Sequence, residues 1–197
     1  AGGAFQELRL ERPLYAVVED CEKSLSPDVS ELFDREANVF AAEVLFQLDA
    51  FAREAEEHPF NIFTPVRLSR KYGASIYASI RQYVTKNRRT CAVLVLNPPQ
   101  LVPGDGFRAT VRRVVASPRF AAMFAGCRWP EVVTPDDRFG ALVPLGKRRA
   151  SGKRRIELED DSGVRHECVA EAFTQSHEVF VLIHAVRALT ATTVLVS

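Results

Sequence analysis

Four histidines and four cysteines bound the metal and nucleophile chemistry open to this chain of 197 residues. A zinc hydrolase of the HExxH type sets two imidazoles one helical turn apart, so that both reach one metal. The intervening glutamate stays beside the zinc-bound water as general base. Zinc lowers that water's pKa to about 7, which supplies hydroxide at neutral pH. None of the four histidines has the required spacing. His58 precedes Pro59, and His166-Glu167 reaches Ala170 at the fourth step. His177-Glu178 reaches Val181, with His184 seven residues beyond His177. The last two lie in strand-like sequence, where positions i and i+4 do not converge on one metal, and they read as core or surface residues. Cys21, Cys91, Cys127 and Cys168 show neither a CxxC pair nor metal spacing. They read as small buried residues, reduced in a cytosolic protein. The carboxylates say more: Glu36 and Glu43 stand two helical turns apart in Glu36-Ala37-Asn38-Val39-Phe40-Ala41-Ala42-Glu43-Val44-Leu45.

A helix must carry that run. Phe33, Ala37, Phe40, Ala41, Val44, Leu45, Leu48, Phe51 and Ala52 recur at three- and four-residue steps. This predicts one long helix from about Ser30 to Glu57, on the order of 40 Å at 1.5 Å per residue. Ser26-Pro27-Asp28 marks its approach, and His58-Pro59 ends it. Ahead of it, Leu8 to Val18 has the content of a strand. Beyond Pro65 the sequence predicts a short helix from Val66 to Tyr72, a turn at Gly73-Ala74, and Ser75 capping a helix through about Lys86. Helix, glycine turn and capped helix have the outline of a helix-turn-helix. Read as a DNA reader, its second helix offers Tyr77, Arg81, Gln82 and Lys86; read as a packing element, it carries the same charges incidentally.

After Arg88-Arg89 the sequence turns to strands. Cys91 to Leu96 is an apolar, β-prone run stopped by Asn97-Pro98-Pro99. Phe107 to Val115 alternates in part. Arg154 to Glu159 and Val164 to Ala170 form a hairpin about Asp160-Asp161-Ser162-Gly163, and Val179 to Ile183 and Thr192 to Val196 complete a sheet. Gly146 to Arg155, with two triplets of basic residues, reads as an exposed loop.

The formal net charge of +1 conceals a pattern. Residues 1–60 hold 5 Lys/Arg and 14 Asp/Glu, residues 61–155 hold 19 and 4, and residues 156–197 hold 2 and 7. A basic block between acidic ends suits an anionic partner, nucleic acid above all, or faces those ends within the same molecule. No apolar run approaches the roughly 20 residues that cross a bilayer, and no secretion signal opens the chain.

The motif at 36–45 resembles the Glu-Ala-Asn-x-Phe-Ala-Ala-Glu helix of the ImmA/IrrE-type zinc metallopeptidases. Leu68 to Arg81 is similar to the helix-turn-helix-like segment that follows it in that family. The resemblance implies that Glu36 is the third zinc ligand, rather than one more solvated glutamate of an amphipathic helix, and that Ala37, Phe40 and Ala41 let the helix lie close against an HExxH helix; Glu43, two turns beyond on the same side, reads either as a support behind the ligand or as a structural residue. It implies a cytosolic hydrolase whose substrate is a protein, typically a helix-turn-helix repressor cut in a stress or mobile-element response. The departure is the missing HExxH. The chain opens on Ala1 and is read as an incomplete piece, with zinc expected in the full-length protein and neither zinc nor cleavage expected of these residues alone.

The expected fold class is α+β: the helical remainder of a zincin-like domain over 1–60, a helix-turn-helix-like segment over 61–90, and a mixed, sheet-containing domain over 91–197. The last resembles the sensor domain, GAF-like in some members, of longer relatives. Three readings stand. One is a metallopeptidase fragment; one is a DNA-binding regulator that uses residues 66–87 and the basic block; one is an inactive regulatory module that recognises a protein or small ligand through its last domain.

Overall fold

In the computed structural model, which describes residues 40–175 and 177–189, the long helix expected to run as far as Glu57 is interrupted. Residues 40–45 are helical, but the chain turns at 46–49, where Gln47 and Leu48 take left-handed φ angles of 51° and 57°. That conformation costs roughly 1–2 kcal/mol for a residue with a side chain, so packing must hold it. Phe46 is buried in the turn and meets Phe51 edge-on at 4.8 Å, while Tyr72 closes on both rings at 6.3 and 5.2 Å. Leu48, which the sequence pattern placed on the helix's apolar face, is exposed in this turn, while Phe46, which that pattern left out, is buried. The second piece, α1 (Ala50–Glu56), ends just before His58-Pro59 as expected.

The chain divides between Val44 and Leu45 into two compact units. In the first, residues 40–44 are described. Glu36, Cys21, the strand expected at 8–18, the helix approach at 26–28 and the strand expected at 192–196 lie outside the described residues. The second unit holds everything that follows.

In that unit α2 (Phe63–Lys71) starts earlier than its sequence suggested. Pro65 sits within the first turn, where a missing N–H leaves no helical bond unmade. The Asn61 side-chain oxygen accepts the N–H groups of Phe63 and Thr64 at 2.9 and 3.0 Å. Gly73, at φ 62°, supplies the left-handed residue after the helix. Ser75 then caps α3 (Ile76–Thr85), its Oγ accepting the Ala78 N–H at 3.1 Å.

The sheet is antiparallel throughout and mixed with these helices in an α+β arrangement. Its strands are β1 (Cys91–Leu96), β2 (Gln100–Val102), β3 (Gly106–Ala116), β4 (Val132–Val133), β5 (Arg154–Glu159), β6 (Arg165–Gln175) and β7 (Glu178–Ala188). They run in the order β2-β3-β1-β7-β6-β5, with β4 on β3. β1 is central and buried along its whole length, which is why its sequence is apolar without alternation. One face packs Leu94, Leu96, Val181, Ile183 and Cys168 against Phe120, Phe124, Phe139 and Leu142. Phe120 belongs to the short helix α4 (Pro118–Met123). The opposite face meets the helices: Phe173 faces Phe63 at 5.9 Å, Phe180 faces Tyr77 at 6.4 Å, and His184 meets Phe60 edge-on at 5.0 Å. Two strands escape sequence reading, β2 and β4, of three and two residues. Segments so short show no period.

Candidate functional site

The sequence-chosen residues do not come together among the described residues. Glu43 lies in the helical stretch of the first unit. On α3, Arg81 and Lys86 are exposed, whereas Gln82 is buried on the face turned to the interior and Tyr77 is half-buried. The Tyr77 hydroxyl accepts a hydrogen bond from the Arg113 guanidinium at 2.8 Å, which holds it against β3. The four side chains offered to DNA therefore present Arg81 and Lys86 to solvent and direct Gln82 inward.

The histidines also go separate ways. His166 is buried, its Nε2 2.8 Å from Asp160 Oδ2, with Phe124 edge-on to its ring at 5.3 Å. The bond from His166 holds the Asp160 carboxyl below its ordinary range. His184 is half-buried; burial lowers its pKa, and the charges of Lys153 and Arg89 lower it further. His177 is exposed on the β6–β7 connection. Among the described residues no group of three or more His, Cys, Asp or Glu is placed to hold a metal ion.

A different constellation is assembled where the end of α1 meets the end of α3 and the start of α4. Ala55, Glu56, His58, Phe60, Tyr83, Asn87, Arg88, Arg89 and Arg119 line a cleft of about 430 Å³. Its wall is aromatic: Phe60 and Tyr83 stack at 5.3 Å, and the Arg89 guanidinium lies 5.4 Å from the Phe60 centroid. Burial pushes the Tyr83 phenol upward.

The backbone of this cleft is fixed by one hydroxyl. Ser117 is fully buried; its Oγ donates to the Arg89 carbonyl at 2.8 Å and accepts the N–H groups of Cys91 at 3.1 Å and Phe120 at 3.2 Å. The loop bearing Arg88 and Arg89 is thereby tied to the first turn of α4, which carries Arg119. The Asn87 side chain adds a bond to the Arg89 N–H at 2.9 Å.

Charge in the cleft is unbalanced. Among the described residues Glu56 is its one lining carboxylate, 3.9 Å from Arg88 Nε, and both side chains are more than half exposed. Such a pair is loose and weak. Arg119 makes no ion pair among the described residues. Three guanidinium groups against one carboxylate make this a concave, cationic site with an apolar wall, suited to holding an oxyanion.

Nearby, Glu171 is a buried carboxylate on β6 that accepts the Ile62 N–H at 2.8 Å. Burial raises its pKa. Sequence reasoning did not gather these residues: Arg88-Arg89 read as a boundary and Arg119 was not singled out as a site residue, because nothing in the chain joins positions some thirty apart.

No protein-family model matches this chain, and no curated protein matches it either.

Proposed function

We propose that the chain works as part of a cytosolic zinc-dependent metallopeptidase of the ImmA/IrrE type acting on a protein, with a helix-turn-helix repressor as the expected substrate. The observation that carries this reading is the run Glu36 to Leu45, dense in the residue types of the family's ligand-bearing helix. Two further features support it. Residues 40–45 are helical, as a ligand-bearing segment requires. The pair α2 and α3, with its glycine turn and serine cap, follows that segment in the chain. In this reading Glu36 supplies a carboxylate to zinc, two imidazoles come from an HExxH helix ahead of it, and the antiparallel domain beyond residue 90 serves as a sensor-like module.

The alternative, a DNA-binding or catalytically inactive regulator, draws on the basic residues of 61–155. It gains less from the helices, since Gln82 is buried and Tyr77 is held by Arg113.

The test is made on the protein as its gene encodes it. Zinc content measured by atomic emission should fall when Glu36→Gln replaces a carboxylate by a poorer amide ligand. Unchanged zinc, or a complete reading frame with no HExxH before Glu36, refutes the peptidase reading.

A further inference from the structure

We propose that the cleft between α1, α3 and α4 binds a small phosphomonoester, the phosphate seated on Arg88, Arg89 and Arg119 and its organic group against Phe60 and Tyr83. Three observations lead there, none of which depends on the peptidase reading.

The first is charge. Among the described residues three guanidinium groups and one carboxylate line the cleft, leaving a surplus of two positive charges. A phosphomonoester, with its second pKa near 6, is close to a dianion at neutral pH. Guanidinium groups match tetrahedral oxyanions through paired N–H bonds where an ammonium offers only a point charge.

The second is preorganisation. Arg89 is held by its ring contact with Phe60, by Asn87 and by Ser117, and the same serine holds the first turn of α4, which carries Arg119. Two cationic side chains thus hang from backbone that is already fixed. A site of this kind loses little conformational entropy when an anion arrives.

The third is size and wall. A volume of about 430 Å³ exceeds what inorganic phosphate fills, and lies within the range of small-molecule sites. The remaining space is bounded by Phe60 and Tyr83.

An extended polyanion fits less well. Glu56 stands in the cleft itself, beside Arg88. A phosphodiester strand crossing the whole patch would run past this carboxylate; a compact dianion can sit toward Arg89 and Arg119.

The experiment is calorimetric titration of the 197-residue chain at low salt with phenyl phosphate, inorganic phosphate and phenol. Phenyl phosphate should bind saturably at one site, inorganic phosphate more weakly, and phenol not at all. Arg119→Gln, an exposed change that leaves the core alone, should weaken phenyl phosphate roughly tenfold, the loss expected for one charged hydrogen-bonding partner. Arg148→Gln, which removes an exposed charge from the distant basic loop, should leave affinity unchanged. No saturable binding, equal affinity in Arg119→Gln and the unaltered chain, or equal losses in both variants overturns the proposal. So does a short DNA duplex that binds through Arg119 while phenyl phosphate does not, which would make the patch a nucleic-acid surface. A tie between inorganic and phenyl phosphate removes the organic-group part of the claim.

Discussion

Replacing Ser117 by alanine should cost far more than its size suggests. The hydroxyl is wholly buried and makes three bonds: it caps α4 through the Phe120 N–H, accepts the Cys91 N–H at the head of β1, and donates to the Arg89 carbonyl. Loss of a serine cap costs about 1 kcal/mol. A buried N–H left without a partner, as at Cys91, costs roughly 1–3 kcal/mol more. The Arg89 carbonyl, nearer the surface, can turn to water and adds little. The expected total for Ser117→Ala is about 2–4 kcal/mol, or roughly 4–16 °C in melting temperature for a chain of this size. Urea unfolding followed by Trp129 fluorescence is the assay, since the indole stacks 6.0 Å from Phe120 and reports on the region directly. Ser75→Ala is the internal standard. Ser75 also caps a helix, but through a single exposed bond, so its loss should stay at or below about 1 kcal/mol. If the two variants lose the same stability, Ser117 is an ordinary cap and does not tie the cleft together.

Glu171→Gln should be more stabilising at pH 7 than at pH 4. Burial raises the folded carboxyl above its ordinary 4.5, so the fold favours the protonated form and loses stability as pH rises through that pKa. The amide keeps an acceptor for the Ile62 N–H and carries no charge, and urea midpoints at the two pH values would expose the reasoning as wrong if the order were reversed. The three thiols among the described residues should react in order of burial. Cys91 and Cys168 are pushed up to about 12 by desolvation, whereas Cys127 is partly exposed and raised less. Peptide mapping after iodoacetamide at pH 8 should find Cys127 modified before Cys91 and Cys168; equal rates at Cys91 would show that β1 opens readily.

Much of the secondary structure is legible in the chain because its signals are local. The run Cys91 to Leu96 is apolar without alternation, and it is the strand buried on both faces. Gly73 and Ser75 mark a helix end and a helix start through backbone chemistry that acts over three or four residues. The Asp160–Gly163 turn closes its hairpin in the same way, with Asp160 accepting the N–H groups of Ser162 and Val164. Where the sequence misleads, packing outweighs a local preference. Helical periodicity runs through Leu45, Leu48 and Phe51, yet burying Phe46 and Phe51 with Tyr72 turns the backbone left-handed between them and leaves Leu48 exposed.

The candidate sites divide along the same line. A motif such as Glu36 to Leu45 is contiguous, so its chemistry can be read without knowing the fold, and the sequence alone carries that reading. The cationic cleft is not contiguous. Arg88 and Arg89 meet Arg119 only because β1 and β3 pair antiparallel and Ser117 bonds back across 28 residues to Arg89. Gln82, polar and well spaced for a contact helix, is turned inward because Ile80, Tyr83 and Val84 beside it must be buried. Period and capping chemistry reach one or two turns along a chain; which faces are covered, and which distant charges are left to share one hollow, is decided by the burial of apolar surface in the assembled sheet and helices.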